Sequence, residues 1–254
     1  MDKRIGAQLF TVREFTKTKD GYEDALRRIA EIGYKAVQIS AVGEISAEDL
    51  KNGCEKYGLI PVCTHRSLQE YRNDLNGMVE FHKLLGCKIA GLGIYPEFVK
   101  NASRDTMLKA IEELNEFSRA FREAGMSFAY HNHHWEFQKI DGKFIMDYFL
   151  ENGKFDFIVD VFWLARAGIN PAEYLLKMGK RAKVLHYKDM KVVPGERELQ
   201  MCEVMEGNLD WDSIIEASEK AGSEWAMVEQ DICQNDPFDC LKLSYKNLTQ
   251  KGFC

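Results

Sequence analysis

Residues 127–136 read Ser127-Phe-Ala-Tyr-His-Asn-His-His-Trp-Glu136, a short aromatic and apolar run that breaks directly into imidazole and carboxylate side chains. Seven comparable runs lie elsewhere in the chain. With 127–132 as the fifth, the strand candidates are 4–9, 35–39, 59–64, 87–92, 155–160, 182–187 and 225–230. None is long enough to be a helix, and each is followed by a longer amphipathic segment, the pattern of repeated βα units around a parallel sheet. Eight units in 254 residues predict an α/β fold of one kind, a (β/α)₈ TIM barrel forming a single domain over residues 1–254. A doubly wound open sheet would want a glycine-rich phosphate loop after its first strand, and Gln8-Leu-Phe-Thr-Val12 is not one.

The punctuation agrees. Ser46-Ala-Glu-Asp49 predicts a capped helix start with acidic residues in the first turn, and Pro171 suits the first turn of another. Gly33, Gly58, Gly125 and Gly222 each stand where a helix should stop before the next strand. The five prolines are dispersed, and no Gly/Ser-rich tract marks a linker.

Composition narrows the function classes. Hydrophobic residues at 45% and charged residues at 29% are those of an ordinary globular chain. A net charge of -6 without a basic stripe argues against nucleic acid as a partner. No run approaches the roughly 18 apolar residues of a membrane span, and Met1-Asp-Lys-Arg-Ile5 does not open a signal peptide, so neither export nor membrane association is expected. Seven scattered cysteines without a CxxC pair indicate neither a disulfide framework nor a zinc knuckle and suit a reducing, cytoplasmic setting.

In a TIM barrel the working residues gather at the C-terminal ends of the strands. Here strand five runs into the His131 to Glu136 cluster, strand six ends at Asp160, strand seven at His186-Tyr-Lys-Asp189 and strand eight at Glu229-Gln-Asp231. Any one of these residues has an ordinary explanation as a helix cap or loop anchor. Four successive strands delivering such types to one rim do not, because several carboxylates buried together need a cation. The donor types suit one divalent ion, Mn²⁺, Zn²⁺, Co²⁺ or Fe²⁺, with manganese preferred.

These residues carry a family resemblance. Tyr130-His-Asn-His-x-x-Glu-Phe137, Asp160-x-x-Trp163 with Ala167-Gly-x-Asn-Pro171, His186-x-Lys-Asp189, Glu206-Gly-x-Leu-Asp210-Trp and Val228-Glu-Gln-Asp231 together resemble the xylose isomerase-like barrels, the sugar phosphate isomerase/epimerase family that also includes endonuclease IV. The resemblance implies a metal held by a Glu from strand five, an Asp from strand six, a His from strand seven and a Glu from strand eight. Asp160, His186 and Glu229 match. On strand five His131 stands at the expected carboxylate position, leaving His131 itself or Glu136 as the fourth ligand. Glu136 is the preferred expectation because it keeps the ligand charge. His131 and His133 share one side of a strand, so either is a candidate proton carrier alongside Glu229.

The resemblance also suggests substrate contacts at His65, Trp163, Lys188 and Glu206, and a small sugar or sugar derivative as substrate; barrels of this group often pair as homo-oligomers. The chemistry implied is proton transfer beside a carbonyl, giving isomerisation or epimerisation, with a keto-glycoside lyase or dehydratase as the alternative on the same site. An endonuclease IV-like nuclease needs three metals and a DNA-binding surface, and a sugar-binding subunit would keep the barrel without the chemistry. Gln8 and Gln38 are expected near the barrel mouth as core polar groups.

Overall fold

The computed structural model describes residues 2–100 and 102–254. Eight parallel strands close into a barrel: β1 (Gly6–Gln8), β2 (Ala36–Ser40), β3 (Ile60–His65), β4 (Ile89–Leu92), β5 (Ser127–His131), β6 (Asp156–Asp160), β7 (Ala182–Tyr187) and β8 (Trp225–Val228). Each strand pairs with its sequence neighbours, and β1 closes the ring onto β8 with Gly6 opposite Met227. Helices return the chain along the outside, among them Lys19–Ile32, Arg104–Glu123, Trp211–Ala221 and Pro237–Thr249. All eight expected strands are present, the first shorter than expected.

Local chemistry sets the joints. The Ser46 side chain accepts from Asp49 N–H, and Asn170 caps the helix that Pro171 begins. Gly222 ends the helix Trp211–Ala221 in the left-handed region at φ 81°, where a side chain would be strained. Gly91 on β4 answers a different need, since an added Cβ there would run into the Thr64 carbonyl and the Ile158 side chain.

The barrel interior is filled in layers. A plug of Ala36, Cys63, Ala129, Ile158, Val184 and Met227 is fully buried. Two residues along each of those strands, on the same inward face, come Gln38, His65, His131, Asp160, His186 and Glu229. A further two bring His133, Lys188 and Asp231. The apolar plug is therefore the floor on which every polar side chain of the barrel mouth stands. Asp160 and His186 are direct partners in the β6–β7 register, which fixes their height relative to each other.

Two short antiparallel pairs decorate this mouth, Lys139–Ile140 with Lys143–Phe144 and Asp189–Lys191 with Gln200–Cys202. Among the described residues no helix is long and apolar enough to cross a membrane.

Candidate metal centre

His131, Asp160, His186 and Glu229 each turn one ligand atom to a common point, all four atoms lying within 4.8 Å of one another, and all four residues are buried. His131 Nε2 is 3.5 Å from Asp160 Oδ2, and His186 Nδ1 is 3.8 Å from that oxygen and 2.9 Å from Glu229 Oε2. These same four atoms, Nε2, Oδ2, Nδ1 and Oε2, are buried without an aligned hydrogen bond, although the Lys188 ammonium stands 2.9 Å from both carboxylate oxygens. Leaving one buried polar atom unpaired costs about 1–3 kcal/mol. Four converging on one point are consistent with the donor set of a cation.

The rest of each side chain is held so that the ligand atom faces inward. His131 Nδ1 donates to the Gly93 carbonyl at 3.1 Å and His186 Nε2 to Gln38 Oε1 at 2.8 Å, directing the opposite ring nitrogen of each toward the centre. Asp160 Oδ1 accepts from Trp163 N–H at 3.1 Å as the cap of the helix Val161–Arg166, and Oδ2 turns to the centre, where the Lys188 ammonium stands 2.9 Å away. Asn132 steadies the same strand end by accepting from Asp160 N–H at 3.0 Å. Gln38 thus has a definite task where sequence offered only a core polar group. Its partner is 148 residues away, so no local pattern could have revealed it.

Glu136 is elsewhere, correcting the expected ligand set. Its Oε1 accepts from the Tyr130 hydroxyl at 2.5 Å and its Oε2 from His133 N–H at 2.8 Å. Both oxygens are engaged in closing the turn after β5, and burial raises its pKa despite those bonds. His131 occupies the fourth corner. Glu206 also falls outside: it is exposed, accepts from Asn247 on the last helix at 2.8 Å, and does not line the cavity above the centre. The segment around it wraps the Asp189 carboxylate, which accepts from Met205, Gly207 and Leu209 N–H and from Trp211 Nε1. The Glu206-Gly-x-Leu-Asp-Trp motif is thereby explained as an anchor.

The cavity over the centre measures about 300 Å³ and is lined by Phe10, His65, Arg66, His133, Lys188 and Asp231 among others. The rings of His65, His131, His133 and His186 lie in a chain with centroids 4.6–4.8 Å apart, except 5.3 Å between His65 and His186. Trp163 does not line this cavity but packs behind its residues, 5.3 Å from His133, stacked on His134, and 5.4 Å from Lys188 Nζ. His134 is half-buried in this stack.

Electrostatics divide the site. Burial would raise Asp160 and Glu229, but the Lys188 ammonium together with His186 outweighs it and holds both carboxylates well below their usual range. Burial lowers His186, but the charge of Glu229 and the contact with Asp160 carry it up to about 9. Burial, with His131 and Lys188 nearby, pushes His133 down to about 2. Asp231 goes the other way: burial and the Glu229 charge prevail over Lys188 and raise it to about 6. Sequence had placed Asp231 at the rim without assigning it a role. Its spacing of two from Glu229 was the available signal.

Residues 26–237 match the family described as xylose isomerase-like TIM barrels, and the chain belongs to that family. Comparison with curated proteins gives no match. Among solved structures, a sugar phosphate isomerase/epimerase from Parabacteroides distasonis is similar at a TM-score of 0.79 and 23% identity, covering 100% of this chain and 96% of that one. A D-allulose 3-epimerase from a Methylomonas species in complex with D-allulose is similar at 0.75 and 14%, over 97% and 96%. A probable 3-DHS dehydratase from Bacillus anthracis is similar at 0.75 and 12%, over 98% and 99%. At these identities the likeness is one of fold.

Proposed function

We propose that this protein is a divalent-metal-dependent sugar isomerase or epimerase that moves a proton on a carbon beside a carbonyl. The observation that carries it is the convergence of four unpartnered buried ligand atoms from β5 to β8 beneath a cavity lined by proton-transfer groups. The ion, for which a mixed imidazole and carboxylate set suits Mn²⁺, Zn²⁺, Co²⁺ or Fe²⁺, would supply when bound the positive charge that stabilises oxygen as the neighbouring C–H loses its proton.

The chain's own groups do the rest. His131, His186, Asp160 and Glu229 would hold the ion, which would take His131 out of the proton-carrying role. Asp231, raised to about 6, is ionised at neutral pH yet basic enough to accept a proton from substrate carbon. Lys188 donates to Asp231 Oδ1 at 2.9 Å and orients it. His65 Nε2 and His133 Nδ1, both buried and unpartnered, offer hydrogen bonds to sugar hydroxyls. Both are uncharged at neutral pH, since burial lowers each of them. Trp163 packs on His133 and holds that ring in place. The D-allulose held by the Methylomonas relative supports a sugar as the substrate class.

The test is a panel of ketoses and aldoses in D₂O with Mn²⁺-loaded protein. Deuterium should enter at the carbon beside the carbonyl, cease after treatment with a strong chelator, and return with Mn²⁺ or Co²⁺. Full exchange after verified metal removal contradicts the proposal. Loss of water or of a glycoside, instead of a rearranged sugar, assigns the same proton abstraction to a dehydratase or lyase.

A further inference from the structure

Lys188 reaches the same two oxygens that the ion needs. Its Nζ is 2.9 Å from Asp160 Oδ2 and 2.9 Å from Glu229 Oε2, and its side chain is 1% exposed. Neither contact has the alignment of a hydrogen bond, and both oxygens remain unpartnered. The one directed bond goes to Asp231 Oδ1, also at 2.9 Å. The rings of Phe162 and Trp163 stand 5.8 and 5.4 Å from the ammonium, so it is seated among three carboxylates with aromatic rings beside it.

Two cations sharing one buried pair of carboxylates repel each other, whereas three buried carboxylates with no cation repel one another. A fixed ammonium at this place therefore favours the metal-free fold and opposes ion binding. Asp231 offers it a second seat, already hydrogen-bonded and two residues along the chain from Glu229. We propose that Lys188 is a built-in counter-cation of the metal centre: it competes with the divalent ion for Asp160 and Glu229, and retires onto Asp231 when the ion binds. Lys188 and Asp231 together then set the ion affinity, an inference that rests on the metal centre proposed above.

The experiment measures Co²⁺ affinity by competition with a chromophoric chelator, and thermal unfolding with and without Co²⁺, for the wild type, Lys188→Met, Asp231→Asn and the double variant. Lys188→Met should bind Co²⁺ at least about 10-fold tighter, a small part of what like charges about 4 Å apart exchange at intermediate dielectric. It should also unfold at lower temperature in chelator and recover with Co²⁺. Asp231→Asn should weaken binding in the wild type and do so less when Lys188 is already Met, because its seat then has no occupant. In ¹⁵N-lysine-labelled wild type, the Lys188 ammonium signal should move on Zn²⁺ addition, a readout that survives if Lys188→Met does not fold.

Equal or weaker Co²⁺ binding by Lys188→Met, or an unmoved ammonium signal in Zn²⁺-saturated protein, overturns the inference and leaves the metal centre standing. Absence of Co²⁺ binding by the wild type and Lys188→Met alike overturns both. Binding by Lys188→Met alone supports the competition in its strongest form.

Discussion

The two ends of the barrel each place a lysine between carboxylates, Lys183 on β7 and Lys188 just past its end, and they differ in what surrounds it. At the N-terminal end Lys183 lies 3.5 Å from Asp156 and 3.3 Å from Glu224 and donates to Ser127 at 2.8 Å, with side chains 21%, 30% and 52% exposed for the lysine and the two acids. At the C-terminal end Lys188, Asp160 and Glu229 are at most 5% exposed. The N-terminal cavity, at about 480 Å³, is the larger of the two, against about 300 Å³. Yet the atoms of the Lys183 group all find partners or water, while unpartnered ligand atoms gather only at the other end among the described residues. Volume therefore does not mark the site. Several such atoms converging on one point do, whereas a lone one such as Ser223 Oγ, beside Glu224, does not.

The sharpest way to break the contrast is to remove a ligand. Asp160→Ala should weaken metal binding by more than the roughly 10²-fold that loss of an outer partner can cost, and abolish turnover, as read by Co²⁺ titration and the deuterium assay. Asp231→Asn should, at saturating metal, keep the ion bound and lower turnover by about 10²–10⁴-fold, the usual worth of a positioned acid or base. A loss confined to substrate affinity would move Asp231 from proton carrier to contact.

Gln38→Leu removes the acceptor that fixes His186 and should weaken metal binding by about 10–100-fold, with unfolding temperature measured alongside to show that the core has survived. Proton release probes the same ring from another side. His186 is raised to about 9 in the metal-free protein, so its imidazole is protonated below that pH, and an ion taking Nδ1 must expel a proton. Calorimetry at pH 7 in buffers of different ionisation enthalpy should find about one proton released per ion. Affinity should fall about tenfold for each unit of pH lowered below 9 on this account. The smallest effect belongs to the other end: Lys183→Ala should change stability by about 1 kcal/mol or less, as for other exposed pairs, and leave turnover alone.

The fold was legible because its signal is local and repeated: every strand carries its own apolar run, and every joint its own glycine or cap. The site was half legible. Asp160, His186 and Glu229 stand at strand ends that period-two alternation exposes. The decision between His131 and Glu136 turned instead on a contact that sequence does not display, the Tyr130 hydroxyl donating to Glu136. Ligand charge alone favoured Glu136, whose two oxygens are instead bonded within its own turn. Gln38 was hidden for a related reason, as its role exists only once β2 and β7 face each other across the barrel. The Glu206 motif looked like chemistry because its residues are polar and closely spaced, and it serves the buried Asp189 carboxylate instead.

The central claim is that one divalent ion sits among these four side chains, and anomalous diffraction from a Co²⁺-soaked crystal tests it most directly. One peak should appear about 2.0–2.3 Å from His131 Nε2, Asp160 Oδ2, His186 Nδ1 and Glu229 Oε2, the span of ordinary nitrogen and oxygen ligation, with Glu136 still bonded to Tyr130. A peak coordinated by Glu136, or none at the four-residue centre in protein that binds Co²⁺ in solution, would contradict it.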